Sequence, residues 1–263
     1  MIEGAARLED AARPGSRIGH HIEVHGSIGS TSDRSAELLR GGQDGVAVVA
    51  ELQTSGRGRR GRTWTSPSGV NLTMSVGITS RVRAADGWRL GLAAALAARS
   101  ACAPVAPVAL KWPNDLVDAD DRKLGGLLVE TTIDGEWITG AVIGIGINVN
   151  WRRAQMPGEI AGRATSLAEV AGAPVDRAAL LGRILASLEL ELEGVEGGES
   201  PLERYRAACS TLGRRVDVET GRESIAGIAI DLDADGALLV ATTDGTVAVT
   251  SGEVTRVHPR DRS

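Results

Sequence analysis

Val70-Asn71-Leu72-Thr73-Met74-Ser75-Val76-Gly77-Ile78-Thr79 alternates apolar and polar or small residues at every step. Successive side chains of a strand point to opposite faces, so this period of two predicts a β-strand with one buried face, that of Val70, Leu72, Met74, Val76 and Ile78. Upstream, Val46 to Glu51 is an apolar strand candidate. Before it a short helix is bounded by Ser30 as N-cap, Asp33 three positions later and a Gly41-Gly42 stop. Downstream, Asp86 can cap an Ala/Leu-rich helix running to about Ala101, and strands are expected within Val108–Trp112, Gly126–Thr132 and Trp137–Val149. A second helix starts at Asp176 and runs to about Glu193, where Gly197-Gly198 breaks it. Ser200-Pro201-Leu202-Glu203 reads as a capping box that opens a helix carrying Tyr205.

After about Gly213 the texture changes. Short β-type runs (Val216–Val218, Ile225–Ile230, Ala237–Val240, Thr246–Val249, Glu253–Val257) are spaced by Asp/Gly turns, the pattern of a small all-β barrel. The expected organisation is α+β: a loose opening segment (1–20) of aperiodic Gly, Ala, Arg, Pro and acidic residues, a larger domain (21–210) and a C-terminal barrel (211–263).

Composition limits what the protein does. The chain has 263 residues, 42% of them hydrophobic and 24% charged, ordinary for a soluble globular protein. No apolar run is long enough to span a bilayer, and no signal-peptide pattern opens the chain. Cys102 and Cys209 stand far apart with no CxxC spacing, which argues against a disulfide framework or a zinc site and fits a reducing cytoplasm. His20, His21 and His25 have no accompanying carboxylate cluster, and no metal site is expected of them. A net charge of −5 and the absence of Phe speak against nucleic acid as a partner.

Four segments carry chemistry. Gly56-Arg57-Gly58-Arg59-Arg60-Gly61-Arg62 places four arginines and three glycines in seven positions between two strands. Glycines let successive N–H groups line an anion-binding concavity, and arginines add fixed charge shaped for carboxylate or phosphate. Alone, such a run also reads as a solvated basic turn. Its glycine interleaving and its place in an acidic chain favour a small anionic ligand such as ATP. Lys111-Trp112-Pro113-Asn114-Asp115 ends a strand at a proline, holding Asn114 and Asp115 at the tip; Pro-Asn-Asp is equally good turn chemistry. Arg122-Lys123-Leu124-Gly125-Gly126 leads into an apolar strand and also reads as a hairpin turn. Gly144-Ile145-Gly146-Ile147-Asn148-Val149-Asn150 suggests a strand closely approached by another backbone or a ligand.

In this order the segments resemble the biotin protein ligase family, over about residues 28–257. The matching motifs are Ser30-Thr31-Ser32, Gln53, Gly56 to Arg62, Trp64, Ser66-Pro67-Ser68-Gly69, Lys111 to Asp115, Lys123 to Gly126 and Gly144 to Asn148. The resemblance is to the form without an N-terminal DNA-binding domain. It implies a mixed sheet with flanking helices, of the class II synthetase kind, plus a C-terminal SH3-like barrel. It also implies activation of biotin with ATP and Mg2+ to biotinyl-5'-AMP, followed by transfer to a lysine of a biotin carboxyl carrier domain of acetyl-CoA carboxylase or a similar carboxylase. A homodimer is an open alternative to a monomer.

By the resemblance, biotin meets Ser30, Thr31, Ser32, Gln53, Gly56, Arg57, Gly58, Arg59, Lys123 and Gly125, with Ser30, Thr31 and Gln53 toward the ureido ring. ATP meets Arg57, Arg59, Arg62 at the outer phosphates, Trp64 against adenine, Asn114, Lys123 and Asn148, while magnesium is carried mainly by the phosphates. Catalysis falls to Arg59, Lys123, Asp115 and Lys111, with Asp115 accepting the proton of the acceptor lysine and Lys111 acting as an electrostatic partner nearby. The loop 54–69 is expected to repel itself when empty and to be ordered by an anion. Two departures stand out: Ser32 replaces the usual Asn, and Thr65 and Thr73 stand where aromatics are common.

A lipoate ligase would share the fold and the adenylation chemistry, but its Arg-Arg-x-Ser-Gly-Gly-Gly type segment is not found. A DNA-binding repressor would need a helix-turn-helix within the 29 residues before Ser30, which contain Pro14, Gly15 and Gly19.

Overall fold

The computed structural model describes residues 8–221 and 223–258, so the ends of the expected opening segment (1–7) and of the expected barrel (259–263) lie outside the described residues. Strands β1 (Ile22–His25) and β2 (Ala47–Ala50) run parallel across helix α1 (Thr31–Arg40). Next come β3 (Leu72–Thr79) and helix α2 (Trp88–Cys102), then two hairpins, β4 (Ala109–Lys111) with β5 (Asp115–Val117) and β6 (Lys123–Asp134) with β7 (Trp137–Ile147). The sheet order is β1-β2-β3-β7-β6-β5-β4, and every pairing after the first is antiparallel. Two short helices, α3 (Gly158–Ala161) and α4 (Leu167–Ala171), precede α5 (Arg177–Glu196) and α6 (Leu202–Ala208). Strands β8 (Arg214–Glu219), β9 (Ser224–Leu232), β10 (Leu238–Thr242), β11 (Gly245–Val249) and β12 (Glu253–Val257) form a second, antiparallel sheet in the order β11-β10-β9-β8-β12.

The expected α+β class is found, and all five C-terminal strands are present. Strand β3 departs from expectation in being buried on both faces up to Ile78. Leu72, Met74, Val76 and Ile78 join the main core with Leu90 and Leu96 of α2 and Leu181, Ile184 and Leu188 of α5. The opposite face, Thr73, Ser75 and Gly77, is covered as well, by α1 and a cleft. Alternation in sequence marks two chemically different faces, and it marks an exposed one only when nothing packs there.

Helix ends follow local chemistry. Asp176 Oδ1 accepts from the N–H groups of Ala178 (2.9 Å) and Ala179 (3.2 Å), starting α5 where expected. Asp86 does not cap α2: it closes a 3-10 turn and pairs with Arg89 at 2.8 Å, and Gly87 takes the cap position. Pro201 sits one residue before α6 rather than in its first turn, and Glu203 turns to Arg206 instead of back to the cap. Lys111 to Asp115 is a turn between β4 and β5, so Asp115 opens a return strand rather than ending one.

The opening segment, expected to be loose, is tied down from Leu8 onward. Leu8 and Ile18 are buried, Arg13 pairs with Glu189 (2.6 Å), and Arg17 bridges Asp44 (3.0 Å) and Glu196 (2.6 Å). Strand β1 follows at once; its four residues carried no periodic signal.

Between β2 and α5 lies a buried ion pair. Arg177 reaches both oxygens of the fully buried Glu51 carboxylate (2.7 and 3.0 Å) and donates to the Asn71 carbonyl at 3.0 Å. Removing one partner strands the other charge away from water. Glu51→Ala is expected to lower the free energy of unfolding by about 3 kcal/mol or more in urea denaturation. Replacing Glu51 and Arg177 together by Met should cost much less.

Candidate active site

The face of β3 and β7 turned toward α1 holds the cleft. Its polar end is built at the start of α1. The Thr31 N–H donates to Gln53 Oε1 at 2.7 Å, and the Thr31 hydroxyl donates to the same oxygen at 3.0 Å. Ser75 on β3 stands 2.8 Å from Thr31 Oγ1 and 3.1 Å from Ser32 Oγ. Two glycines of β7 make room here. A Cβ on Gly144 would sit 3.2 Å from Ser32 Oγ, and one on Gly146 would sit 2.5 Å from the Trp64 indole. The alternating glycines of the motif therefore serve close approach by side chains, as their spacing suggested.

The other end is cationic. Lys123 opens β6 and Asp115 opens β5, and the strand pairing sets Lys123 Nζ 2.6 Å from Asp115 Oδ1. Lys111 faces Asp115 across the β4–β5 hairpin. Burial pulls the Lys111 amine below its ordinary pKa, with the Asp115 charge opposing. Burial does the same to the Arg59 guanidinium, again opposed by Asp115. One carboxylate thus faces three cations, and an entering anion meets net positive charge in a partly dehydrated setting. Asn114 holds the turn by donating to the Leu127 carbonyl at 2.6 Å, and Tyr205 supports it from α6, donating its buried hydroxyl to the Pro113 carbonyl at 3.2 Å.

The arginine loop lies over the cleft, and the repulsion expected of it is offset in part by partners from other elements, though Arg60 still acts on Arg59 as a like charge. Arg57 bridges Asp33 (2.7 Å) and Glu130 (3.0 Å), and its pKa is raised by the hydrogen bond to Asp33 and then by Glu130. Arg62 pairs with Glu253, and Arg60 donates to the Glu219 carbonyl at 2.6 Å. Arg59 leans on Asn114 Oδ1 and the Gly252 carbonyl, each at 3.4 Å. Acidic and carbonyl groups from α1, β6 and the C-terminal sheet partner the arginines and offset part of their charge, so the C-terminal sheet is part of the site.

Most of the residues singled out in the sequence come together here. Thr31, Ser32, Gln53, Arg57, Gly58, Arg59, Arg62 and Trp64 line the cleft, as do Lys111, Asn114, Asp115 and Lys123. Ser30, Gly56, Gly125 and Asn148 do not. Gly56 and Gly125 let backbones approach: a Cβ would lie 2.5 Å from the Trp64 carbonyl in one case and 2.7 Å from the Gly146 carbonyl in the other. Asn148 is buried and donates to the carbonyls of Lys123 (3.4 Å) and Thr165 (3.0 Å), holding the start of β6 from behind. Sequence reading missed Ser75, Leu127 and the Gly252–Val254 turn as cleft residues. The hydroxyls on the polar side of β3 were the available signal for the first. The turn carried none, since its place depends on how the two sheets pack.

Residues 27–148 match the model of the biotin/lipoate A/B protein ligase family, and residues 211–256 match that of the biotin protein ligase C-terminal domain. The biotin–[acetyl-CoA-carboxylase] ligase of Mycobacterium tuberculosis is 37% identical over 254 residues, covering 91% of this chain and 89% of that protein. The chain belongs to the biotin protein ligase family. Another relative, the bifunctional ligase/repressor BirA of Bacillus subtilis, is 30% identical over 90% of this chain and 74% of its own length. The Aquifex aeolicus biotin protein ligase in complex with biotin and ATP superposes with a TM-score of 0.74 at 31% identity, over 90% of this chain and 99% of that one. The C-terminal antiparallel sheet is accordingly the SH3-like unit of a biotin protein ligase. No helix among the described residues is long and apolar enough to cross a membrane.

Gly146 seats Trp64 so tightly that one methyl group must displace the indole. Gly146→Ala should lower kcat/KM by roughly tenfold or more, in line with the cost of overpacking. A steady-state assay of pyrophosphate release measures this. A melting temperature kept near wild type shows that the loss is local.

Proposed function

We propose that the cleft joins biotin to ATP and passes the biotinyl group to a lysine of a biotin carboxyl carrier domain of acetyl-CoA carboxylase or a related carboxylase. The observation that carries this reading is the cleft's polarity. Neutral hydroxyl and amide groups (Thr31, Ser32, Gln53) close one end, and Arg59, Lys111 and Lys123 surround a single carboxylate at the other. A ligand with a neutral polar ring and an anionic tail fits such a gradient, and the tail then meets a second anion, the α-phosphate.

In the first step a biotin carboxylate oxygen attacks the α-phosphorus, the bond to the bridging oxygen breaks, and pyrophosphate leaves. No protein nucleophile is needed. Arg57 and Arg59 neutralise the carboxylate and the α-phosphate, Arg62 the outer phosphates, and Trp64 packs against adenine. Among the described residues no group of three His, Cys, Asp or Glu could hold a metal, and Asp115 and Glu253 are already paired with cations. Magnesium would be held mainly by the phosphate oxygens of ATP and by water. In the second step the lysine amine attacks the acyl carbon of biotinyl-AMP, AMP leaves, and the amine gives up a proton. Asp115 takes it. Asp115 is paired with Lys123 at 2.6 Å; once Lys123 turns to the adenylate oxygens, the oxygen it held can face the incoming amine, while Lys111 and Arg59 remain nearby.

The purified protein is expected to release pyrophosphate with biotin, ATP and magnesium, and to do so neither with lipoate nor with octanoate. Release with lipoate alone overturns the assignment. Asp115→Asn separates the two steps. Biotin's carboxylate is already ionised near pH 7, whereas a lysine amine has an ordinary pKa of about 10.4. The variant should form biotinyl-AMP at a rate near wild type and transfer it roughly 10² to 10⁴ times more slowly. Single-turnover measurement of each step decides, and a selective loss of adenylation would remove Asp115 from this role.

A further inference from the structure

The geometry points to Ser75 as the residue that fixes the hydrogen-bond direction of the pocket, taking the hydrogen of Ser32 so that the Ser32 hydroxyl is left an acceptor toward the ligand, and thereby selecting a ring that presents N–H. This deepens the reading above and rests on it.

The direction follows from counting hydrogens. A backbone N–H can only donate, so the Thr31 N–H at 2.7 Å requires the oxygen of the Gln53 amide on that side. The Thr31 hydroxyl, 3.0 Å from the same oxygen, spends its one hydrogen there. Thr31 Oγ1 must then accept from Ser75, 2.8 Å away, and Ser75 Oγ must accept from Ser32, 3.1 Å away. All three hydrogens run toward Gln53, and only lone pairs remain for the cleft. Ser75 is wholly buried and Thr31 and Ser32 nearly so, so water does not scramble this order. Gly144 puts no side chain before Ser32: a Cβ there would lie 3.2 Å from Ser32 Oγ and 3.5 Å from both Ser75 Oγ and the Leu128 carbonyl. A ring N–H entering that space meets acceptors. Any carbonyl or ether oxygen placed there meets like polarity and is left unpaired.

Without Ser75 the order is lost at one point. Ser32 then has no protein acceptor for its hydrogen and can turn it to the ligand. Ser75→Ala should raise the KM for biotin roughly tenfold or more, the effect of a lost buried hydrogen bond, and leave the KM for ATP unchanged. A structural defect could also do that, so the deciding probe is a pair of cyclic carbamate analogues of biotin in which one or the other ring N–H is replaced by oxygen. Wild type should discriminate against at least one isomer by about 10²-fold in kcat/KM, since a site built for N–H leaves its own groups unpaired against oxygen. Ser75→Ala should reduce that ratio to below about tenfold, because Ser32 can now donate. Ser75→Cys keeps the side-chain volume with only weak hydrogen bonding, and it should show the same collapse should the alanine variant melt early. An unchanged ratio in a folded Ser75 variant, with wild type active on biotin, overturns the relay. A wild type that releases no pyrophosphate with biotin overturns the functional reading instead.

Discussion

Helix α1 can lie directly on β3 and β7 because two glycines leave no side chains beneath it. A Cβ on Gly77 would meet the Ser35 carbonyl at 2.7 Å and the Leu39 Cβ at 3.1 Å, and one on Gly140 would meet the end of Leu39 at 3.2 Å. The register pairs Gly77 with Val142, Ser75 with Gly144 and Thr73 with Gly146, so these residues share one face of the sheet. Close seating of the helix brings its first residues down onto Ser75. Further along the same face, Gly144 keeps a side chain away from Ser32 and Gly146 takes the Trp64 ring. One row of small residues therefore sets the helix height, the depth of the cleft and the seat of the loop. The apolar face of the same strands, packed under α2 and α5, makes this row rigid.

Charge is organised as tightly as space. The chain carries a net charge of −5, yet its cleft gathers four loop arginines and two lysines. Acids drawn from separate elements hold them: Asp33 from α1, Glu130 from β6, Asp115 from β5 and Glu253 from β12. Folding thus delivers counter-charges to a segment that would repel itself in isolation. The Arg60 backbone sits in the left-handed region at φ 57°, an uncommon place for a non-glycine residue, at the point where the loop turns toward the C-terminal sheet.

Much of this was legible in the sequence. The period-two run of β3, the caps of α1 and α5 and the five C-terminal strands follow from local chemistry. So did twelve of the cleft residues, because glycine-rich and cationic segments of this kind have few structural uses. What could not be read has a common cause. The opening segment is held by partners near residue 190, β1 pairs with a strand more than twenty residues away, and Glu219, Gly252 and Glu253 reach the loop only through packing of the two sheets. Ser75 is visible in the sequence as a polar residue on the face opposite the apolar one, and nothing local says that a helix covers that face. Period two distinguishes faces without saying what covers them.

Pairing does not withhold these arginines from a ligand, because their partners are open to water. Asp33 and Glu130, which hold Arg57, are 60% and 45% exposed, and Glu253, which holds Arg62, is 31% exposed. Ion pairs this open to water contribute little, about 0–1 kcal/mol each, and their carboxylates are readily rehydrated when the arginine leaves. The Glu51–Arg177 pair is the opposite case: its carboxylate is fully buried and has no water to return to. The protein places its costly ion pair under the sheet, where it fixes β2 against α5, and its inexpensive ones over the cleft. An anion that takes Arg57 or Arg62 exchanges one solvated partner for another with more charge, so the loop keeps its positive potential without being locked by its own counter-ions.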